Sequence, residues 1–218
     1  MGVLNDSRRG DLQVARHWAV RVFVGAMVCA GLGGSASAET WRSNMTGGFA
    51  DANNDAISYI FSPQLTTGAT GWAYLPARNA VGGGQLRRTT DFATFSALTT
   101  NGFGVPTNIN FLNMVEFDNG TEKAILTGTA RTGAGGAQLY RSTDGVAFSN
   151  VVPLGMATQN KVIVGMATMG DYLYFGTQND VSGAEIWRSS NANAGNSWVQ
   201  VSTTGFGNSG NTAISYLK

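Results

Sequence analysis

Residues 40–61 read TWRSNMTGGFADANNDAISYIF. The same pattern returns as TFSALTTNGFGVPTNINFLNMV over 94–115, AFSNVVPLGMATQNKVIVGMAT over 147–168 and SWVQVSTTGFGNSGNTAISYLK over 197–218. Aligned without a gap, each copy has an aromatic at its second place: Trp41, Phe95, Phe148 and Trp198. Phe49, Phe103, Met156 and Phe206 follow eight places on, each after a glycine, and Ile57, Phe111, Val164 and Ile214 open a new apolar run eight places later. The copies start 54, 53 and 50 residues apart. A period of that length marks an array of supersecondary units, each too small to bury its own apolar face alone.

Between the copies each unit resolves into four strand-length runs, at 56–62, 71–77, 84–89 and 95–99 in the first, 111–117, 123–130, 137–142 and 148–153 in the second, and 162–169, 172–177, 184–189 and 198–202 in the third. Tyr172-Leu173-Tyr174-Phe175 and Glu185-Ile186-Trp187-Arg188 alternate as half-buried strands do, and beyond residue 39 no window carries a helical period. Four strands in about 50 residues predict an all-β fold, a β-propeller of four-stranded antiparallel blades. The blades are expected at about 55–100, 109–153 and 162–203, with 39–49 as the outer strand of a closing blade and 212–218 as the first strand of a truncated one. Three blades and two part-blades do not close a ring, so a longer parent chain is expected.

The first 38 residues read differently. Arg8, Arg9, Arg16 and Arg21 precede the apolar stretch 22–32 and Ala36-Ser37-Ala38. A basic segment, a short apolar core and a small-x-small site form a secretory signal, and the core is shorter than the roughly 20 residues a membrane span needs. Cleavage after Ala38 leaves a 39–218 repeat domain with no stable membrane span, destined for the extracellular space, the cell surface or the periplasm. His17 and Cys29, the only histidine and cysteine, lie in the leader. The mature part therefore has no imidazole base, thiol nucleophile, Cys/His zinc site or disulfide. It carries ten basic and eleven acidic residues, without a basic stripe, which argues against nucleic acid as a partner.

The third run of each unit ends alike, in GQLRRT from Gly84, AQLYRS from Ala137 and AEIWRS from Ala184. Arg88, Arg141 and Arg188 thus recur at one place, as expected of a contact that ties strand three to its neighbour. Next come the polar hairpins Thr89-Thr90-Asp91, Ser142-Thr143-Asp144-Gly145 and the stretch NANAGNSW over 191–198. These resemble the Asp-box, S-x-D-x-G-x-[ST]-W, of bacterial secreted BNR or sialidase-like repeat propellers, with Asn191 and Asn193 read at the Ser and Asp places of the last copy. The resemblance implies a propeller in which the box is a folding element remote from any active site.

In such a fold the four-to-one and two-to-three loops share one face, which makes Arg78, Asn79, Arg131, Asn179 and Asp180 the candidate ligand-binding residues. Asp51, Asn53 and Asp55 have the D-x-N-x-D spacing of a calcium loop, although Ala56 replaces its glycine and Ser62 its glutamate; the other reading is a hydrogen-bonded Asx turn. Calcium is the one cofactor considered. Glu116, Asp118 and the loop aspartates are not spaced as a catalytic pair. Tyr59, Trp72, Tyr74, Tyr140, Trp187 and Trp198 fit sheet packing better than sugar stacking. The sequence thus points away from an enzyme, to an exported, non-catalytic module that binds an extracellular glycan or protein. The alternative is a sialidase-like or other glycoside hydrolase with part of its site in further blades.

Overall fold

A computed structural model of the chain describes residues 47–66, 68–152, 156–194 and 197–218. The leader and the outer strand expected at Trp41 lie outside them. Among the described residues the regular structure is β, apart from three 3₁₀ turns, Gly47–Ala50, Asn101–Gly104 and Thr204–Gly207. No helix there is long and apolar enough to cross a membrane.

The first unit contains β1 (Asn54–Ile57), β2 (Ala73–Asn79), β3 (Gln85–Thr89) and β4 (Ser96–Ala97), paired in chain order as an antiparallel meander. The second repeats it with β5 (Asn108–Asp118), β6 (Lys123–Arg131), β7 (Leu139–Ser142) and β8 (Ser149–Asn150). The third has β9 (Val162–Met169), β10 (Tyr172–Gln178), β11 (Ile186–Ser189) and β12 (Trp198–Gln200). One residue pair, Ala130 with Val162, links β6 to β9 along their edges. The ungapped alignment slips in one place. The third copy is one residue shorter before strand one, so Ile163, not Val164, takes the inward position of Phe111 and Ile214.

The units are held together mainly through their faces. On β6, Ala124 and Leu126 pack towards the third unit and Ile125 packs towards the first, so the central strand is apolar on both sides and reads as a continuous run. One core joins Phe117, Leu126, Leu139 and Val151 of unit two to Ile163, Met166, Leu173, Phe175, Trp187 and Trp198 of unit three. A second joins Ala69, Tyr74 and Leu86 of unit one to Phe111, Met114 and Ile125 of unit two. A buried aliphatic or phenyl side chain contributes about 1.5–3 kcal/mol, against roughly 1 kcal/mol net for a hydrogen bond. Burial therefore outweighs the few backbone bonds that run between units.

Close approach of the faces depends on small residues at the centre of strand two. A Cβ added to Gly128 would lie 2.5 Å from Ile163 Cβ and Cγ2, and one added to Gly176 would lie 2.5 Å from Ile214 Cβ. Each glycine is thus the hole for the inward isoleucine of the next segment.

The hairpins between strands three and four share one geometry. The Thr89 and Ser142 hydroxyls accept the N–H groups of Phe92 and Gly145, and Asp91 and Asp144 accept those of Ala93 and Thr94, and of Val146 and Ala147. In unit three Ser189 and Asn191 fill these roles, two places before the Asn191 and Asn193 read from the sequence. The fourth residue of each turn, Phe92, Gly145 or Ala192, has φ of 53°, 69° or 51°. Donors from Thr94, Ala93 and Thr89 lower the Asp91 carboxyl to about 2, and Val146 and Ala147 hold that of Asp144 below its usual value.

The three recurrent arginines each meet strand two of their own unit, where the local residue decides the contact. Arg88 lies 4.1 Å over the Trp72 ring and Arg188 4.7 Å over Tyr172. Ala124 holds the corresponding place in unit two, and there Arg141 pairs with Glu122 at 2.5 Å instead.

Two predictions follow from this packing. Gly128→Ala should lower stability by about 1–3 kcal/mol, the range for overpacking, and Ile163→Ala in the same chain should recover part of the loss in a double-mutant cycle read by denaturant unfolding. The second concerns acid. Carboxylates with lowered folded pKa stabilise the fold above their unfolded value of 3.8, and lose that contribution as pH falls towards the folded value of about 2 for Asp91. The melting temperature should therefore fall below about pH 4. The double variant Asp91→Asn, Asp144→Asn should show a shallower fall, since Asn191 already serves the same turn in unit three.

Candidate functional site

Antiparallel register brings the start of strand one, the end of strand two and the start of strand three to one end of every unit. Asn54 faces Asn79, Asn108 faces Arg131, Val162 faces Gln178, and Gln85 faces Ala77. The expected binding residues all lie at this end. Arg78, Asn79 and Arg131 finish strands rather than occupying loops, while Asn179 and Asp180 follow directly after β10.

A side-chain network organises this end. Asn54 Nδ2 donates to Gly48 O at 2.7 Å and Gln85 Oε1 at 2.9 Å; Asn108 Nδ2 donates to Gly102 O at 2.9 Å and Gln138 Oε1 at 2.6 Å. Asn160 donates to Glu185 Oε2 at 2.7 Å, and Asn211 to Gly205 O at 3.0 Å. The backbone carbonyls of Asn108, Asn160 and Asn211 then reach the preceding unit. Gly84 N–H donates to Asn108 O at 2.8 Å, Ala137 to Asn160 O at 2.7 Å and Ala184 to Asn211 O at 2.8 Å. Asn108 and Asn160 thereby each fix strand three of their own unit and the backbone of the unit before.

Asn79 and Asn179 complete the network in units one and three. Their Oδ1 atoms accept the N–H groups of Val81 and Gly82, and of Val181 and Ser182, while their Nδ2 groups donate to Asn54 Oδ1 at 3.0 Å and Asn160 Oδ1 at 3.2 Å. Val81 and Val181 project from the turns so formed, 74% and 73% exposed. Unit two departs from this pattern. Arg131 holds the equivalent place and turns away, its Nε donating to Thr107 Oγ1 at 3.1 Å and its Nη1 to Gly136 O at 3.2 Å. Asn108 Oδ1 is left buried without a partner, an arrangement that costs about 1–3 kcal/mol.

The acidic loop is tied into the same network. Asp51 Oδ1 accepts the Asn53 N–H at 3.0 Å, as in an Asx turn, and its Oδ2 accepts from Asn79 and Gln85, both at 2.9 Å. Asp55 pairs with Arg78. The structure thus joins Asp51 to Asn79 and Asp55 to Arg78, and gives the two carboxylates different partners. Among the described residues, no three His, Cys, Asp or Glu side chains form a metal-binding group. Asp180 accepts long contacts of 3.3 and 3.4 Å from Gln178. A cleft of about 180 Å³ is lined by Gly48, Phe49, Asn54, Asp55, Ala56, Ile57 and Ala77.

Other residues considered for chemistry are placed elsewhere. Glu116 accepts the N–H groups of Gln64, Leu65 and Thr66 at 2.6–2.8 Å. Burial pushes this carboxyl up, but the three donors outweigh that and hold it below the usual range. Its oxygens clasp the loop after β1. Asp118 lies 3.7 Å from Lys123. Tyr74, Tyr140, Trp187 and Trp198 are buried, and Trp72 lies beneath Arg88. Burial also raises the Tyr59 phenol.

The sequence reading missed the asparagines of strand one and their Gln85, Gln138 and Glu185 partners. Their recurrence was the available signal, obscured because the shorter third copy puts Asn160 one place out of line. A comparison with protein-family models found no match, and a comparison with curated proteins found none either.

Removing the Asp51 carboxylate orphans two amide donors, so Asp51→Ala should destabilise the chain by about 1–3 kcal/mol. The geometry predicts the same loss with and without chelator. Thermal melts in millimolar calcium and in excess chelator check this; a loss confined to the calcium condition would contradict it.

Proposed function

We propose that this chain is an exported, propeller-type repeat that serves as a non-catalytic binding module, taking an extracellular glycan or protein on the loop end of its units. The observation that carries the reading is the engagement of the loop-end carboxylates. Asp51 and Asp55 each accept from partners within their own unit, which fixes their positions and leaves neither paired with another carboxylate for acid–base work. The propeller reading draws support from three meanders stacked through apolar faces. The loop-end cleft is smaller than the roughly 300 Å³ of an ordinary small-molecule pocket, which favours contact with an extended ligand across several loops.

The test is incubation of the exported chain with a glycan panel, followed by titration of the best ligand and mass analysis of the recovered sugar. Saturable binding with the sugar returned intact is expected. A shortened oligosaccharide, no longer produced by Asp51→Asn or Asp55→Asn, would overturn the reading in favour of a hydrolase.

A further inference from the structure

We infer that the loop end of unit two is an oxyanion site for an acidic glycan, with Arg131 and Lys161 as its cationic contacts. The inference rests on the binding-module reading and names the ligand's chemistry.

Among the described residues the other cations before the C-terminal Lys218 have an anionic or aromatic neighbour. Arg78, Lys123 and Arg141 pair with carboxylates, and Arg87, Arg88 and Arg188 lie over the rings of Phe49, Trp72 and Tyr172. Arg131 and Lys161 have neither. Both are drawn onto the glycine-rich loop 132–136. Lys161 Nζ donates to Gly133 O at 2.9 Å and Gly135 O at 2.8 Å, while Arg131 Nη1 donates to Gly136 O. The two residues are also bonded through their backbones, Arg131 N–H to Lys161 O at 2.8 Å. Two positive charges from adjoining units are therefore held on one glycine-rich loop, and neither is paired with a described carboxylate.

Glycine at 135 is required for this arrangement. A Cβ there would come 2.8 Å from the Arg131 guanidinium carbon, and the residue has φ of +86°. Thr107 and the loop take up Nε and Nη1 of Arg131 and two protons of Lys161 Nζ, which leaves the Nη2 group and the third ammonium proton for a ligand oxygen. The Thr107 hydroxyl, which accepts from Arg131 Nε, retains its own proton to donate. The site therefore offers a guanidinium, an ammonium and a hydroxyl as donors, the groups that suit a carboxylate or sulfate oxygen.

A second, independent observation marks this position. Units one and three place asparagine where Arg131 stands, and those asparagines complete the framework. The arginine leaves Asn108 Oδ1 fully buried and unpartnered. Framework stability does not explain this departure; recognition of an anion by Arg131 does. The glycan class is carried over from the binding-module reading, with a uronate carboxylate or a sulfate ester as the charged group.

The experiment titrates the exported chain with a uronate oligosaccharide, a sulfated oligosaccharide and a neutral oligosaccharide of equal length, at two salt concentrations. Arg131→Gln and Lys161→Gln are measured alongside Lys161→Arg, with melting curves to confirm folding. One or both acidic sugars should bind, the two arms showing which charged group is taken. The neutral sugar should bind at least tenfold more weakly, and affinity should fall as salt rises. Each Gln variant should weaken binding of the acidic sugar about tenfold, and Lys161→Arg should retain it. If the Gln variants fail to fold, the salt dependence and the neutral control on the unaltered chain still decide. Equal, salt-independent binding of acidic and neutral sugars overturns the oxyanion site and spares the binding-module reading. Binding of polyglutamate in place of any sugar overturns the glycan class, and cleavage of the bound sugar overturns the binding-module reading instead.

Discussion

Asn108, Asn160 and Asn211, recurring at or just before the start of a strand-one segment, are the joints on which the loop end depends. Asn108 and Asn160 bond strand three of their own unit through Nδ2 and the backbone of the preceding unit through their carbonyls, and Asn211 makes the same carbonyl bond to Ala184. A side-chain amide suits this place because it donates and accepts in fixed directions without charge, and Asn108 and Asn160 are buried beyond the reach of substituting water. The facing glycines allow the close approach. A Cβ on Gly183 would lie 2.7 Å from Gly205 Cα. Apolar burial between the faces supplies the larger energy, and the joints fix the register in which the faces meet.

The same end carries local backbone strain. Phe49, Phe103 and Phe206 have φ of 56°, 56° and 54°, in the left-handed region that costs a side chain about 1–2 kcal/mol. Phe103 shows how this is offset. It stacks on Tyr140 at 4.0 Å and contacts Phe111 and Phe148 at 4.9 and 5.6 Å. The turn therefore drives an aromatic into its own unit as the following asparagine closes the joint. Recognition can be supported on a platform of this kind because its side chains are held by the framework and need little ordering on binding.

Much of the architecture was legible because the period is strong. The four-strand division, the antiparallel order and the role of the recurrent arginines all follow from residues that repeat. Strand ends were less legible. β2 runs to Asn79 because Asn54 pairs with it across the sheet, a contact that no local propensity encodes. The site was legible only as a set of loop positions. Asn79, Arg131 and Asn179 occupy equivalent places, yet two hold the framework and one does not, and that difference depends on a bonding partner about 20 residues away in sequence. Lys161 was missed altogether, since one lysine in a strand-one loop has no pattern; its meaning comes from two glycine carbonyls of the unit before.

The joint is tested most directly by native-state hydrogen exchange at the amides of Gly84, Ala137 and Ala184, which donate to Asn108, Asn160 and Asn211. If the asparagine joints hold the units in register, these three amides should exchange only through large-scale opening, with protection comparable to that of Leu126 and Phe175 in the central strands. Replacing Asn160 by alanine should release Ala137 first. Exchange at the three amides as fast as at exposed turn residues such as Gly120, with the central strands still protected, would contradict the account.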